Sequence, residues 1–135
     1  MSEAQATIEV LLVEDNPADA RLTREVLKGG TMRNNLTVVT DGAEALSYLR
    51  REGPYSDALR PDVVLLDLNL PKMDGREVLK RIRMDPALRS IPVIVLTTSG
   101  AEGDVAGAYA ERADSYLQKP VDMQAFSRIV EGLVA

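Results

Sequence analysis

The chain of 135 residues contains no cysteine and no histidine. The first absence excludes disulfide bonds and thiolate metal sites. The second excludes Ser-His-Asp catalysis, histidine zinc sites and a phosphohistidine on this chain. Any metal site must therefore be built from oxygen ligands, which favours Mg²⁺.

Long apolar runs and a basic surface are missing as well. No run approaches the roughly 20 apolar residues that span a bilayer, and residues 1–7 are polar and show no signal-peptide pattern. The net charge is −5, whereas phosphate backbones attract basic faces. We therefore expect a cytoplasmic protein that binds neither membranes nor nucleic acid.

The most informative stretch lies between Pro61 and Pro71. Residues 63–66 are four consecutive aliphatic residues, a pattern typical of a strand buried on both faces of a parallel sheet. Asp67 follows where the apolar run stops. A carboxylate at the carboxyl end of a central strand lies where open α/β sheets bind ligands, although it can also simply cap a loop.

Strand-like and helical patterns alternate five times along the chain. Predicted strands cover residues 8–13, 36–40, 63–66, 92–96 and 115–118. Helices are predicted to begin near Pro17, Asp41, Asp74, Glu102 and Asp122. The first has Ala18, Leu22 and Val26 on one apolar face. The pattern predicts one α/β domain over residues 1–135, a doubly wound (βα)5 fold whose five-stranded parallel sheet has the flavodoxin-like order 2-1-3-4-5.

In that order the ends of strands 1 and 3 border one crevice, so Glu14, Asp15 and Asp67 should meet there. Carboxylates held together repel one another and stay ionised when a cation lies among them. Thr97 and Lys119 end strands 4 and 5 at the same rim. Together these groups suit phosphoryl transfer to Asp67, with Mg²⁺ and Lys119 neutralising the phosphoryl oxygens and Thr97 donating a hydrogen bond.

Each feature also has an ordinary structural explanation. An acidic pair before a helix often only complements the helix dipole, strand-end threonine and lysine are common on surfaces, and Lys-Pro is a frequent turn. Four strand ends that all carry the right group make a joint coincidence improbable, which favours the functional interpretation.

The residues resemble the receiver domain of two-component response regulators over nearly the whole chain. The motifs are Glu14-Asp15, Asp67 with Leu70-Pro71 and Asp74-Gly75, Leu96-Thr97 and Lys119-Pro120. The resemblance implies the following roles: Asp67 as phosphoacceptor and metal ligand, Asp15 as direct Mg²⁺ ligand, Glu14 as ligand through water, Asn69 as ligand through its carbonyl, Thr97 and Tyr116 as switch pair, and Lys119 as phosphoryl-binding lysine. It also implies a cis Lys119-Pro120 bond. Glu14, where the family more often has Asp, and Thr98, where it often has Ala or Gly, depart from the pattern. The larger side chain of Thr98 is expected to narrow access to the phosphoryl group and so to change the dephosphorylation rate.

Residues 53–61 and 68–78 resemble the stand-alone regulators that accompany bacterial and cyanobacterial phytochrome histidine kinases. This likeness implies a sensor histidine kinase, of the phytochrome class, as phosphodonor. With no output domain expected, the signal passes to a downstream protein. The resemblance places the signalling surface on the predicted helix over 102–112, the fifth strand and the exposed side of residues 124–134, including Val105 and Tyr109. In the regulators that the chain resembles, this face supports homodimers, so the resemblance implies a homodimer here.

Other functions remain open at this stage. A Mg²⁺-dependent phosphohydrolase with an aspartyl-phosphate intermediate would need a second carboxylate two residues after its nucleophile, where this chain has Asn69, and a nucleophile on the first strand. A flavin-binding module would need a phosphate-binding loop after strand 1, where Glu14-Asp15 would repel the phosphate. A phosphate sink without a dedicated target is a further alternative. The sequence favours a regulator that is not an enzyme. The only reactions expected of it are acceptance of a phosphoryl group and its own dephosphorylation.

Overall fold

The computed structural model describes residues 7–30, 32–98 and 112–134. Its strands are β1 (Ile8–Val13), β2 (Asn34–Val39), β3 (Val63–Asp67), β4 (Val93–Thr97) and β5 (Ser115–Gln118). Its helices are α1 (Pro17–Gly29), α2 (Gly42–Leu49), α3 (Gly75–Met84) and α4 (Met123–Val134). Apart from Arg112, the helix predicted over residues 102–112, with Val105 and Tyr109, lies outside these ranges. Within them, no helix has the length and apolarity to cross a membrane.

All five strands are parallel and form one sheet in the order β2-β1-β3-β4-β5, which confirms the predicted fold. Every residue of β3 and β4 is buried, as expected for apolar strands covered on both faces. The register pairs Asp67 with Leu96 and Thr97 with Gln118. The carboxyl ends of neighbouring strands therefore lie side by side at one rim of the sheet.

Apolar side chains fill a layer on each face of the sheet. On one face, the apolar residues of α2 and α3 are buried against the sheet: Ala45, Leu46, Leu49, Val78, Leu79 and Ile82. On the other face, Phe126 and Val130 of α4 are buried among side chains of β1, β3 and β4. Both faces of the sheet are therefore covered by apolar side chains, and polar groups gather at its rims.

The apolar face predicted for α1 is wrong. Ala18 is exposed and Leu22 is 54% exposed, whereas Thr23 and Leu27 are buried. Of the predicted face, only Val26 packs against the core. A hydropathy pattern weights leucine above threonine, but the methyl group of a β-branched threonine packs well against a sheet when the helix axis turns it inward.

Side-chain caps begin the first two helices where the sequence predicts them. Asn16 Oδ1 accepts from the Asp19 amide at 3.0 Å, and Asp41 Oδ1 accepts from the Glu44 amide at 2.8 Å. The Glu44 carboxylate reaches back to the Thr40 amide at 2.9 Å. In a capping box, the Glu44 carboxylate would accept from the amide of the cap residue Asp41. Here it accepts from the amide of the preceding residue, Thr40.

Gly75 lies where α3 begins against the end of β3. A Cβ atom at this position would lie 2.4 Å from the carbonyl oxygen of Asp67 and 2.7 Å from the Cα of Leu68. The Gly75 amide donates to the Leu68 carbonyl at 3.1 Å. Because a side chain cannot fit, the glycine allows α3 to approach the strand that carries Asp67.

Arg83 joins the amino ends of β4 and β5, opposite the Asp67 rim. Its guanidinium group donates to the carbonyls of Arg112 and Ile91 and, at 2.7 Å, to the Asp114 carboxylate. The same Asp114 oxygen accepts from the Val93 amide at 2.8 Å. One side chain thus connects α3 with the starts of two strands.

Candidate functional site

Three acidic side chains gather at the carboxyl ends of β1 and β3. Glu14 and Asp67 are 1% and 2% exposed, while Asp15 is exposed. One carboxylate oxygen from each of the three lies within 4.8 Å of the other two. The structure therefore brings together the acidic residues that the sequence places at this rim.

Both carboxylate oxygens of Asp67 have hydrogen-bond donors. Oδ1 accepts from the backbone amide of Asn69 at 2.9 Å, and Oδ2 accepts from Lys119 Nζ at 2.9 Å. Asn69 is exposed and follows Asp67 at the rim. These bonds fix the orientation of the Asp67 carboxylate, so a reacting group at the rim meets it in a defined position.

The ammonium group of Lys119 lies between three carboxylates. Its Nζ is 2.7 Å from Glu14 Oε1, 2.9 Å from Asp67 Oδ2 and 3.0 Å from Asp19 Oδ2. Burial lowers the pKa of Lys119, but hydrogen bonds to these carboxylates outweigh it and raise the pKa above its ordinary value. The lysine therefore stays cationic. Its bond to Pro120 is cis, as the resemblance implies.

The pKa of Glu14 is raised by its buried position in the acidic cluster. Burial, followed by the hydrogen bond and charge of Asp67, raises its pKa from 4.5 to about 7, although Lys119 acts in the opposite direction. Apart from the Lys119 ion pair, its buried Oε1 has no hydrogen-bond donor among the described residues. One lysine does not compensate the clustered negative charge, and a further cation would be stabilised here.

Thr97 and Tyr116, the expected switch pair, occupy different environments. Thr97 is 1% exposed at the end of β4, and its carbonyl accepts from the Lys119 amide at 2.6 Å. Tyr116 lies on the edge strand β5, pairs with Val95 and is 49% exposed. The structure places Thr97 at the rim, whereas Tyr116 lies outside the acidic cluster with its side chain half in solvent.

The donor set suits a hard divalent cation. Glu14, Asp15 and Asp67 offer carboxylate oxygens only, and Mg²⁺ prefers oxygen ligands together with bound water. The Glu14 carboxylate is buried inside the rim, and the Asp15 carboxylate is exposed at its mouth. These residues therefore fit a metal of this type.

A family profile described as the response regulator receiver domain matches residues 10–131. The chain belongs to this family. Receiver domains bind divalent metal ions, serve a partner kinase in two-component systems, and are generally not classed as enzymes.

Several receiver proteins are similar to this chain over nearly its full length. Response regulator Rcp1 of Synechocystis sp. is 46% identical over 124 residues, covering 92% of this chain and 84% of Rcp1. The structure of the phosphorylated cyanobacterial phytochrome response regulator RcpA is 48% identical, with a TM-score of 0.77, covering 95% of this chain and 91% of RcpA. The bacteriophytochrome response regulator AtBRR is 41% identical, with a TM-score of 0.88, covering 96% and 95%. The chain is therefore a receiver-domain response regulator related to phytochrome response regulators.

The similarity extends to a metal-bound structure. The Mn²⁺-bound form of Rcp1 is 45% identical to this chain, with a TM-score of 0.75, covering 93% of this chain and 91% of Rcp1. A relative of this chain thus holds a divalent cation, and the oxygen-only acidic cluster of this receiver domain is compatible with one.

Sequence reasoning missed one residue of this receiver site. Asp19, in the first turn of α1, contacts Lys119 although the two are 100 positions apart. Its position four residues after Asp15 on the first helical turn is the available signal, because that turn faces the rim where strand 5 ends. Helix-dipole complementation explains an acidic residue here equally well, so the sequence alone does not distinguish the two.

Proposed function

We propose that this chain is a response regulator that accepts a phosphoryl group on Asp67 from the phosphohistidine of a sensor kinase, in a Mg²⁺-dependent reaction. The observation that carries the proposal is the environment of Asp67. This carboxylate lies at the end of the central strand β3, between the Lys119 ammonium at 2.9 Å and the acidic pair Glu14-Asp15. A nucleophile, a fixed cation and metal ligands thus converge on one point.

In the proposed reaction an Asp67 carboxylate oxygen attacks the phosphorus, and a new O–P bond forms. The bond between phosphorus and the donor nitrogen breaks, and the donor leaves with its electron pair. Lys119, already hydrogen-bonded to Asp67 Oδ2, binds a phosphoryl oxygen, and the Thr97 hydroxyl donates to another. Catalysis consists of positioning and charge neutralisation.

Asp15, Glu14, Asp67 and the carbonyl of Asn69 would hold the metal. Asp15 would bind the ion directly, and Glu14 would bind it through water. Bound Mg²⁺ would neutralise the phosphoryl oxygens and reduce their repulsion of the attacking carboxylate. The family and the Mn²⁺-bound Rcp1 support a divalent ion in general, and the choice of Mg²⁺ rests on the oxygen-only donor set.

A hydrolase with an aspartyl-phosphate intermediate is the weaker alternative. The position two residues after Asp67, where that class carries a second carboxylate, holds Asn69, and the nucleophile lies on β3 rather than β1. A phosphate sink uses the same chemistry as a regulator. It differs only in having no downstream protein, so a search for binding partners of the phosphorylated form separates the two.

The proposed kinase is a phytochrome-class sensor histidine kinase. The names of RcpA and AtBRR associate those proteins with phytochromes, and their similarity to this chain supports the same class of partner here. Phosphotransfer from a panel of sensor kinases would test the assignment. A kinase outside the phytochrome class that transfers fastest would contradict it.

The signal is proposed to leave through a face that contains β5 and α4. Thr97 turns toward the attached phosphoryl group, because its hydroxyl can donate to the new anionic oxygen. Tyr116, now half in solvent, turns into the vacated space, and the altered face supports a homodimer. Sedimentation with and without beryllofluoride tests this, since a monomer under both conditions refutes the dimer.

Acetyl phosphate and intact-mass measurement test the phosphoacceptor. With Mg²⁺, the wild-type protein should gain the mass of one phosphoryl group, and addition of EDTA should abolish the gain. Asp67→Asn should not react, whereas Asp57→Asn, which alters an exposed loop carboxylate, should react like wild type. If Asp67→Asn gains phosphate as readily as wild type, Asp67 is not the acceptor.

A further inference from the structure

The third carboxylate around Lys119 lies outside the proposed metal cluster. Asp19 Oδ2 is 3.0 Å from Nζ, comparable with the distances to Glu14 and Asp67. The cluster whose oxygens converge comprises Glu14, Asp15 and Asp67 but not Asp19. Lys119 therefore has two partners that are also candidate metal ligands and one that is not.

The position of Asp19 is not explained by helix capping. Asn16 provides the cap of α1, and Asp19 takes part in it through its backbone amide. The Asp19 side chain is free of that bond and crosses to Lys119 on the other side of a groove that Thr23 and Pro120 also line. This tertiary contact needs an explanation of its own.

The lysine and a bound cation would compete for the same two carboxylates, those of Glu14 and Asp67. Lys119 Nζ lies 2.7 Å from Glu14 Oε1, a candidate metal ligand, and two positive charges near one carboxylate repel each other. When Glu14 and Asp67 turn their oxygens to a metal, Lys119 loses much of its compensation. Asp19 can continue to accept from the lysine, because its carboxylate is not needed for the metal.

We propose that Asp19 is a positioning residue that holds Lys119 at the rim while Glu14 and Asp67 bind the metal. The inference rests on the proposed function, since it takes that cluster as the metal site. Without Asp19, Lys119 would depend on Glu14 and Asp67 and would oppose metal binding more strongly. Because the Asp19 side chain is 35% exposed, its contribution should be that of a partly solvated ion pair, about five-fold in metal affinity.

Metal titration of variants tests this role. Mg²⁺ binding to the full chain can be followed by amide chemical shifts in NMR spectra, which also report whether each variant is folded. Asp19→Asn should weaken Mg²⁺ binding about five-fold. Asp19→Glu, which keeps the carboxylate, should restore most of the affinity. Glu25→Gln, which removes the same charge from an exposed site on the same helix, should bind like wild type.

A double-mutant cycle separates positioning from simple charge. In a Lys119→Met background, Asp19→Asn should have little effect on Mg²⁺ affinity, because no lysine remains to be held. An equal loss in both backgrounds would mean that Asp19 acts only through its charge, and unchanged affinity in Asp19→Asn alone would also overturn the proposal. Failure of the wild-type protein to bind Mg²⁺ would instead refute the proposed function.

Discussion

Glu14 provides the sharpest test of the electrostatic argument. Its carboxyl group is almost fully buried, and its pKa is raised from 4.5 to about 7, first by burial and then by Asp67. The unfolded chain therefore releases this proton at a lower pH than the folded protein does. Between these two values the folded state binds more protons, so stability without metal should fall as pH rises. Glu14→Gln removes this loss, because the amide stays neutral.

The size of the effect follows from the shift. A rise from 4.5 to about 7, at about 1.4 kcal/mol per pH unit, corresponds to about 3 kcal/mol once Glu14 is fully ionised. At about pH 5.5 only about 1 kcal/mol of this loss has developed, because Glu14 is then mostly ionised in the unfolded chain but the pH is only about one unit above the unfolded pKa. The Lys119 ion pair is already included in the raised pKa. Relative to wild type, Glu14→Gln should thus gain about 1 kcal/mol at about pH 5.5 and about 3 kcal/mol at about pH 8.5.

Urea unfolding followed by circular dichroism, in EDTA at constant ionic strength, measures these differences. Saturating Mg²⁺ should cancel the advantage of Glu14→Gln, because the ionised carboxylate then has a cation to compensate it. Glu25→Gln, an exposed change on α1, is the matched control and should leave stability nearly unchanged at every pH. A variant no more stable than wild type at high pH, or a gain that does not vary with pH, would refute the reasoning.

Three other substitutions test the framework of the site. Gly75→Ala should destabilise the fold by about 3 kcal/mol or more, since the new Cβ would lie 2.4 Å from the Asp67 carbonyl; a neutral effect in urea unfolding would contradict the close approach. Phe126→Ala should cost about 3–5 kcal/mol, because Phe126 is fully buried, and a loss below about 1 kcal/mol would mean that α4 repacks. Thr97→Ala should still gain phosphate but lose any phosphorylation-driven change in sedimentation, and a change that persists would exclude Thr97 from the switch.

The sheet could be predicted because its signals are local. The buried strands are short apolar runs, and their alternation with helical patterns admits few topologies. The first residue of β2 is harder to predict from the sequence. This strand begins at Asn34, two residues before the predicted start, because Asn34 and Asn35 continue the pairing with β1. The Asn35 amide group also donates to Glu9 at 2.8 Å. Backbone pairing on an edge strand tolerates polar residues that a hydropathy pattern assigns to a loop.

The acidic cluster could be predicted for a different reason. Once the strand order is known, Glu14, Asp15 and Asp67 must lie at neighbouring strand ends. Asp19 could not be placed in the same way. Its contact depends on the direction in which α1 leaves the rim and on the reach of the Lys119 side chain, and neither is encoded in residue spacing. The inward turn of Thr23 depends on the same helix orientation.

The Arg83 contacts should stabilise the amino ends of β4 and β5 against local opening. The bonds that Arg83 and Asp114 make at the starts of β4 and β5 lie away from the Asp67 rim, so rearrangement near Thr97 can occur without breaking them. Backbone amides that open only with large structural units exchange their hydrogens slowly. The Val93 amide, which donates to the Asp114 carboxylate, should therefore keep its hydrogen in deuterated solvent. Backbone amides at the Asp67 rim should exchange faster. Rearrangement near Thr97 would then leave the starts of β4 and β5 in place.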